Sequence, residues 1–101
     1  MRVIVKEPGR PPIDKDIPNA LKPFQEAVGG YIESFTIFED LVVLCDEEGW
    51  LKMKKPNCKL LGNLFVGTII FVGVDGEDFT DCPITAEELN SPPWGGFMEE
   101  V

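Results

Sequence analysis

The chain has no histidine among its 101 residues, and this absence excludes the most common catalytic devices. Without an imidazole there is no Ser-His-Asp or Cys-His arrangement and no histidine ligand for a metal. The usual general base near neutral pH is missing as well. Carboxylate or lysine chemistry stays open, but we expect a non-enzymatic protein with no catalytic residues and no cofactor.

Cysteine is also scarce, with three residues and no Cys-x-x-Cys pair. An odd number of scattered thiols argues against a disulfide framework and against a tetrahedral zinc site, so we expect a reducing compartment and no metal. The surrounding patterns predict that Cys45 is a core thiol, whereas Cys58 and Cys82, which lie in turn-rich segments, are partly exposed. Neither of the last two is expected to act as a nucleophile, because no histidine can activate it.

Long hydrophobic segments are missing too. The longest apolar run, residues 64–74, is well short of the roughly 20 residues that span a bilayer. Residues 1–8 contain no hydrophobic segment of the kind that a signal peptide needs. We therefore expect a cytoplasmic protein without a membrane partner.

Positive charge is in short supply, with 9 Lys and Arg against 18 Asp and Glu, so the formal net charge is −9. Affinity for nucleic acids comes largely from counterions that Lys and Arg release, and so direct binding to DNA or RNA is disfavoured. The same charge suits a basic protein partner, imitation of the negative field of a nucleic acid, or simple solubility.

The apolar pattern predicts one small α+β domain over residues 1–90. We expect a mostly antiparallel, or mixed, sheet of about five strands packed with one helix, followed by a short C-terminal helix. The strand segments are 2–7, 13–17, 31–38, 41–45, 50–53 and 64–74. Segment 64–74 is apolar on both faces and is placed at the centre of the sheet. Segment 31–38 is expected to be internal and to form a hairpin with 41–45.

Capping residues define the two predicted helices. Asn19 is the expected N-cap of a helix over residues 19–28, which Gly29 and Gly30 end. Thr85 and Glu88 match a capping box at the start of a helix that runs to about residue 90. Residues 91–101 are interpreted as a Pro- and Gly-rich tail, in which Trp94 and Phe97 either cover the core or form an exposed recognition element.

Two acidic turns are the first candidate site. One turn contains Asp46, Glu47 and Glu48, and the other contains Asp75, Glu77, Asp78 and Asp81. If the two turns meet, they form a negative surface for a basic host protein. Carboxylates on the second turn also suit a divalent cation, but their spacing does not match an EF-hand, and an ordinary turn is the favoured interpretation.

The second candidate site is the alternative hypothesis, a site for a small ligand. Lys52, Lys54 and Lys55 provide positive charge for an anionic, nucleotide-like ligand, and Asn57, Trp50 and Tyr31 add polar and stacking groups. No glycine-rich phosphate motif supports this site, and a solvated loop is the alternative.

Several short motifs occur together in one order: residues 28–33, 45–49, 56–57, 67–73 and 75–79. Together they resemble the small bacterial and phage family catalogued as domain of unknown function 3846, over roughly residues 1–90. The resemblance implies a short cytosolic protein of phages and mobile elements, with no established catalytic residues. Cys58 departs from it, since the family tends to have a basic residue there, the connection before Gly67 is shortened, and segment 94–97 is particular to this chain.

The leading hypothesis is a non-enzymatic accessory protein of a phage or mobile element that binds and interferes with a host protein. The alternative is a protein that binds or sequesters a nucleotide-like ligand, and a carboxylate-dependent metal enzyme is the least favoured option. The oligomeric state is left open, with a homodimer as one option.

Overall fold

Two antiparallel sheets form most of the molecule, and one short helix packs on the outer face of the larger sheet. The computed structural model describes residues 1–91 and 98–101. Among these residues the elements are β1 (Arg2–Lys6), β2 (Ile13–Asp16), α1 (Leu21–Val28), β3 (Ile32–Phe38), β4 (Leu41–Asp46), β5 (Pro56–Leu60), β6 (Asn63–Val66), β7 (Ile69–Asp75), β8 (Asp78–Thr80), α2 (Ala86–Leu89) and β9 (Met98–Glu100).

The larger sheet has the strand order β2-β1-β7-β4-β3, and β8 pairs with the end of β7. All its pairings are antiparallel, and Phe71 of β7 lies between Ile4 of β1 and Val43 of β4. The predicted central position is therefore confirmed for residues 69–74 of the segment 64–74. The sheet is larger than the five strands expected, because the described residues contribute six strands to it and three more to a second sheet, β6-β5-β9.

Each face of the larger sheet covers its own apolar cluster. On one face, Phe24 and Val28 of α1 pack on Val42, Leu44 and Ile70. On the other face, the smaller sheet and α2 cover a second cluster that includes Leu60, Phe65, Phe71 and Leu89. Strand β7 is covered by α1 on one face and by the smaller sheet and α2 on the other, so its side chains are apolar on both faces.

The observed ends of the two helices agree with the predicted ends except at the N-cap of α1. Gly29 ends α1 with a left-handed φ of 84°, and Thr85 and Glu88 form the predicted capping box of α2. The prediction of Asn19 as N-cap is wrong, since α1 begins at Leu21 after Ala20, which makes no side-chain cap. The Asn19 side chain instead donates to the carbonyl oxygen of Phe79 at 2.8 Å.

The predicted strand over residues 64–74 is two strands. It breaks after β6 at Gly67, where φ is +75°, and the chain passes from the smaller sheet to the larger one. A side chain is strained at that backbone conformation, so glycine permits the corner. The continuous apolar pattern hides this break because both strands are buried.

Two further predictions are wrong. The β3 strand was expected to be internal but forms an edge of the larger sheet, and most of its residues are exposed. Its predicted hairpin with β4 is confirmed. Residues 50–53 form turns rather than a strand, with Lys52 N–H donating to the carbonyl oxygen of Glu48 and Lys54 N–H to that of Gly49.

The segment after α2 contributes to the smaller sheet, where Met98, Glu99 and Glu100 of β9 pair with β5. The prediction for Trp94 and Phe97 concerns residues outside those that the structure describes. Over the described part of the chain, no helix has the length and apolar character needed to span a membrane.

Candidate functional site

The carboxylate of Asp46, at the end of β4, is buried and holds two lysines. Its Oδ2 atom lies 2.7 Å from Lys54 Nζ and 2.8 Å from Lys52 Nζ. Its Oδ1 atom accepts from the backbone N–H of Glu48 at 2.9 Å. The Asp46 carboxylate therefore has all its partners within the protein and is not part of an exposed acidic surface.

The same two lysines also bind the end of α1. Lys54 Nζ donates to the carbonyl oxygen of Val28 at 2.6 Å, and Lys52 Nζ donates to that of Gly29 at 3.1 Å. The last carbonyl groups of a helix have no partner within the helix and attract positive charge. The two ammonium groups thus join α1, β4 and the turn after β4.

Opposing effects act on the pKa of Asp46. Burial acts to raise its pKa, whereas the hydrogen bonds from Lys52, Lys54 and the Glu48 N–H lower it, and the net result is a pKa of about 2. The hydrogen bond with Asp46 in turn raises the pKa of Lys52. The carboxylate and the ammonium group are both charged at neutral pH. Gly30 leaves room for them, because a Cβ there would lie 2.6 Å from Asp46 Oδ1.

The structure does not bring the predicted nucleotide-binding residues into one cationic pocket. Lys52 and Lys54 are held by Asp46, whereas Lys55 and Tyr31 are exposed. Asn57 is fully buried, where its amide nitrogen donates to the carbonyl oxygens of Lys6 and Gly67, each at 2.8 Å. Asn57 therefore has a structural role in the interior and is not part of an exposed binding site.

Lys6 is a buried charge that the sequence did not reveal. It is fully buried, and its Nζ lies 3.1 Å from Glu100 Oε1 and 3.0 Å from Asn57 Oδ1. It also donates to the carbonyl oxygen of Glu7 at 3.0 Å. A lysine with three partners is satisfied, and its pairing with Glu100 helps to fix β9 on the core.

The two predicted acidic turns lie at opposite ends of the larger sheet. Leu41 pairs with Gly73 and Leu44 with Ile70, so the end of β4 and the end of β7 point in opposite directions. Since β4 has six residues, the turn at Glu47 and the turn at Glu77 are separated by roughly 20 Å along the strands. The two turns therefore do not form one continuous surface.

A different turn lies beside the second acidic turn. The β3–β4 turn and the β7–β8 turn are neighbours because β4 pairs with β7, and Glu39, Asp40 and Asp75 line one shallow depression. We call the exposed carboxylates of these two turns the acidic end; they are Glu39, Asp40, Asp75, Glu77 and Asp78. Asp81, which follows β8, is not counted with them, because its Oδ1 accepts from the backbone N–H of Arg2 at 2.8 Å.

The carboxylates of the acidic end form no ion pair with another described residue. Within residues 1–91 and 98–101, the ion pairs involve Glu7, Asp14, Asp46 and Glu100, and none involves a carboxylate of the acidic end. Sequence reasoning missed Glu39 and Asp40 as members of a site. The predicted hairpin placed them in a turn, but the pairing of β4 with β7 was needed to place that turn beside Asp75.

A second concave feature lies between edge strand β3 and strand β6. This aromatic cleft has a volume of about 250 Å³. Its lining residues are Glu33, Phe35, Cys45, Asp46, Glu47, Trp50, Asn63, Leu64, Phe65 and Val66. Phe35 meets Phe65 edge to face, with ring centroids 5.3 Å apart, and the contact joins the two sheets. Of the residues predicted for ligand binding, only Trp50 lines the cleft.

The three thiols are all buried, which confirms the expectation for Cys45 and corrects it for Cys58 and Cys82. Burial, followed by the negative charges of Glu33 and Asp46, raises the pKa of Cys45 to about 11. Burial likewise raises the pKa of Cys58 to about 11 and shifts that of Cys82 upward. Because the thiolate is the reactive form, these thiols are poorly suited to nucleophilic chemistry.

Metal binding has no evident location in the part of the chain that the structure describes. There, no group of three or more carboxylate and thiol side chains is arranged to hold an ion. The acidic end is therefore an arrangement of separate surface charges.

Comparison with known proteins gives one match. No curated protein and no solved structure matches the chain. Residues 1–90 match the model of the family described as Domain of unknown function (DUF3846). Since this match includes both predicted acidic turns and most of the chain, the protein belongs to the DUF3846 family.

Proposed function

We propose that the protein is a non-enzymatic accessory protein of a phage or mobile genetic element, which binds a basic host protein and interferes with it. The observation that supports this proposal is the acidic end, where two neighbouring turns present five exposed carboxylates without an ion-pair partner among the described residues. This surface replaces the one expected from residues 46–48 and 75–81.

Charge favours a basic protein as the partner. Exposed carboxylates on one surface attract positive charge at a distance and speed association with a basic partner. The net charge of −9 disfavours nucleic acid as the direct partner. A cytoplasmic location is part of the same proposal.

Binding rather than catalysis is proposed because the chain offers little catalytic machinery. Histidine is absent, and the three thiols are buried with raised pKa values. The nucleotide-binding alternative gains no support from the lysines, because Lys52 and Lys54 already bind Asp46 and the end of α1. Native mass spectrometry with added nucleotides tests that alternative, and we expect no bound nucleotide.

The test of the proposal is capture from a bacterial host lysate by immobilised wild-type protein. At low salt we expect a basic protein to be enriched above a bead-only control. Raising the ionic strength should release it, because exposed charges are screened beyond a Debye length of about 10 Å at 0.1 M salt. Failure to recover any basic protein at low salt would contradict the proposal.

A further inference from the structure

We propose that the aromatic cleft receives an arginine side chain of a protein partner. The cleft is open at the edge of the molecule, between β3 of the larger sheet and β6 of the smaller one. Trp50 follows β4 and remains 64% exposed, while Phe35 is 37% exposed. Large aromatic groups at a concave surface are typical positions for contact with a partner.

The size of the cleft suits one side chain. Pockets for small molecules and cofactors have volumes of about 300–1,000 Å³, and the cleft, with about 250 Å³, lies just below that range. A nucleotide would also bring phosphate groups against the carboxylates of Glu33 and Glu47. Size and charge together therefore favour a single cationic side chain.

The lining of the cleft combines aromatic faces with negative charge. Trp50 and Phe35 provide aromatic surface, and Glu33 and Glu47 provide carboxylates. No lysine or arginine is among the lining residues, and neither glutamate forms an ion pair within the described chain. A guanidinium group is planar, stacks on aromatic rings and binds carboxylates through two parallel hydrogen bonds, so arginine matches these groups better than lysine does.

The strand register explains why these groups meet. Glu33 lies opposite Cys45 in the β3–β4 pair, and Phe35 follows on the same face of β3. Both therefore face the smaller sheet, where Phe35 contacts Phe65. Burial raises the pKa of the nearby Cys45 thiol most, and the negative charges of Glu33 and Asp46 raise it further.

The cleft and the acidic end are separate surfaces. Glu47 is at the end of the larger sheet opposite Asp75 and Glu77, so the two regions can be tested independently. The inference shares with the proposed function only the premise that the partner is basic. Failure of the wild-type protein to capture a basic protein, with binding of the arginine peptide retained, would contradict the proposal for the acidic end alone. Capture of a basic protein without binding of the arginine peptide would contradict the inference about the cleft alone.

The experiment is a titration of the ¹⁵N-labelled protein with three capped tripeptides, whose central residue is arginine, lysine or citrulline. Citrulline keeps the shape of arginine without its charge. We expect the arginine peptide to shift the indole signal of Trp50 and the amide signals of Glu33 and Glu47. The citrulline peptide should bind about tenfold more weakly, or more weakly still, because it lacks the charge that the carboxylates recognise.

Matched variants test the lining residues. The double substitution Glu33→Gln/Glu47→Gln should weaken binding of the arginine peptide by about tenfold. Glu48→Gln, at an exposed neighbour outside the cleft, should leave binding unchanged. Equal binding of arginine and citrulline peptides to the wild type would overturn the inference, whether or not the double variant folds. Equal binding of the lysine peptide would overturn the choice of arginine.

Discussion

Lys54 Nζ lies 2.7 Å from Asp46 Oδ2 and 2.6 Å from the carbonyl oxygen of Val28, so one ammonium group joins the end of β4 to the end of α1. Asp46 is the buried partner in this contact. The relationship makes Asp46 a structural residue, although its sequence context is that of an exposed acidic turn.

Asp46→Asn should lower the free energy of unfolding by about 2–4 kcal/mol, because it leaves two lysines without their carboxylate. Urea denaturation followed by circular dichroism measures the change. Glu48→Gln is the control at an exposed neighbour and should change stability by less than about 0.5 kcal/mol. Equal stability of Asp46→Asn and wild type would show that the buried ion pair contributes nothing net.

The acid stability of the protein should depend on Asp46. Its pKa is lowered from the ordinary 3.8 to about 2, so its contribution is fully present above the ordinary value and is lost as pH falls towards 2. Between about pH 5 and about pH 2, the difference in unfolding free energy between wild type and Asp46→Asn should shrink by about 2 kcal/mol. A difference that stays constant over this range would contradict the pKa shift.

Gly73 should be intolerant of a side chain. A Cβ at this position would lie 2.2 Å from the carbonyl oxygen of Asp81, a backbone atom that cannot move without shifting the chain after β8. We expect Gly73→Ala to destabilise the protein by more than about 2 kcal/mol in urea denaturation. Gly76→Ala is the matched control: its Cβ would meet no atom within 4 Å, but its φ of +65° should cost about 1 kcal/mol. Equal effects of the two substitutions would contradict the steric explanation.

The cysteines should not react in the folded protein. All three are buried, and burial raises their pKa values, so very little thiolate is exposed to a reagent. Incubation with a thiol reagent at mildly alkaline pH should label none of them in native buffer and all three in concentrated urea. Mass spectrometry counts the labels, and rapid labelling of the folded protein would show that a thiol is accessible.

Local sequence signals predicted the parts of the fold that depend on neighbouring residues. The capping box of Thr85 and Glu88, the C-cap at Gly29 and the central position of β7 are examples. Each depends on a motif or an apolar pattern within a few residues of the chain. Such patterns act over short distances and can be recognised without the tertiary structure.

Features that depend on distant residues were not predictable in the same way. The change of sheet at Gly67 is hidden because β6 and β7 are both apolar. The burial of Asp46 depends on Lys52 and Lys54 reaching back to it across a turn, and the same lysines serve carbonyl groups of α1. The acidic end depends on which strands pair, and so Glu39 and Asp40 could not be assigned to it from local pattern alone.

The most direct test of the central claim compares two charge reversals in the lysate capture. Asp40→Lys/Glu77→Lys alters the acidic end, and Glu26→Lys/Glu87→Lys alters exposed carboxylates elsewhere, so both change the net charge equally. We expect the first variant to recover about tenfold less of the basic partner and the second to recover nearly as much as the wild type. Equal recovery by the two variants would contradict the assignment of partner binding to the acidic end.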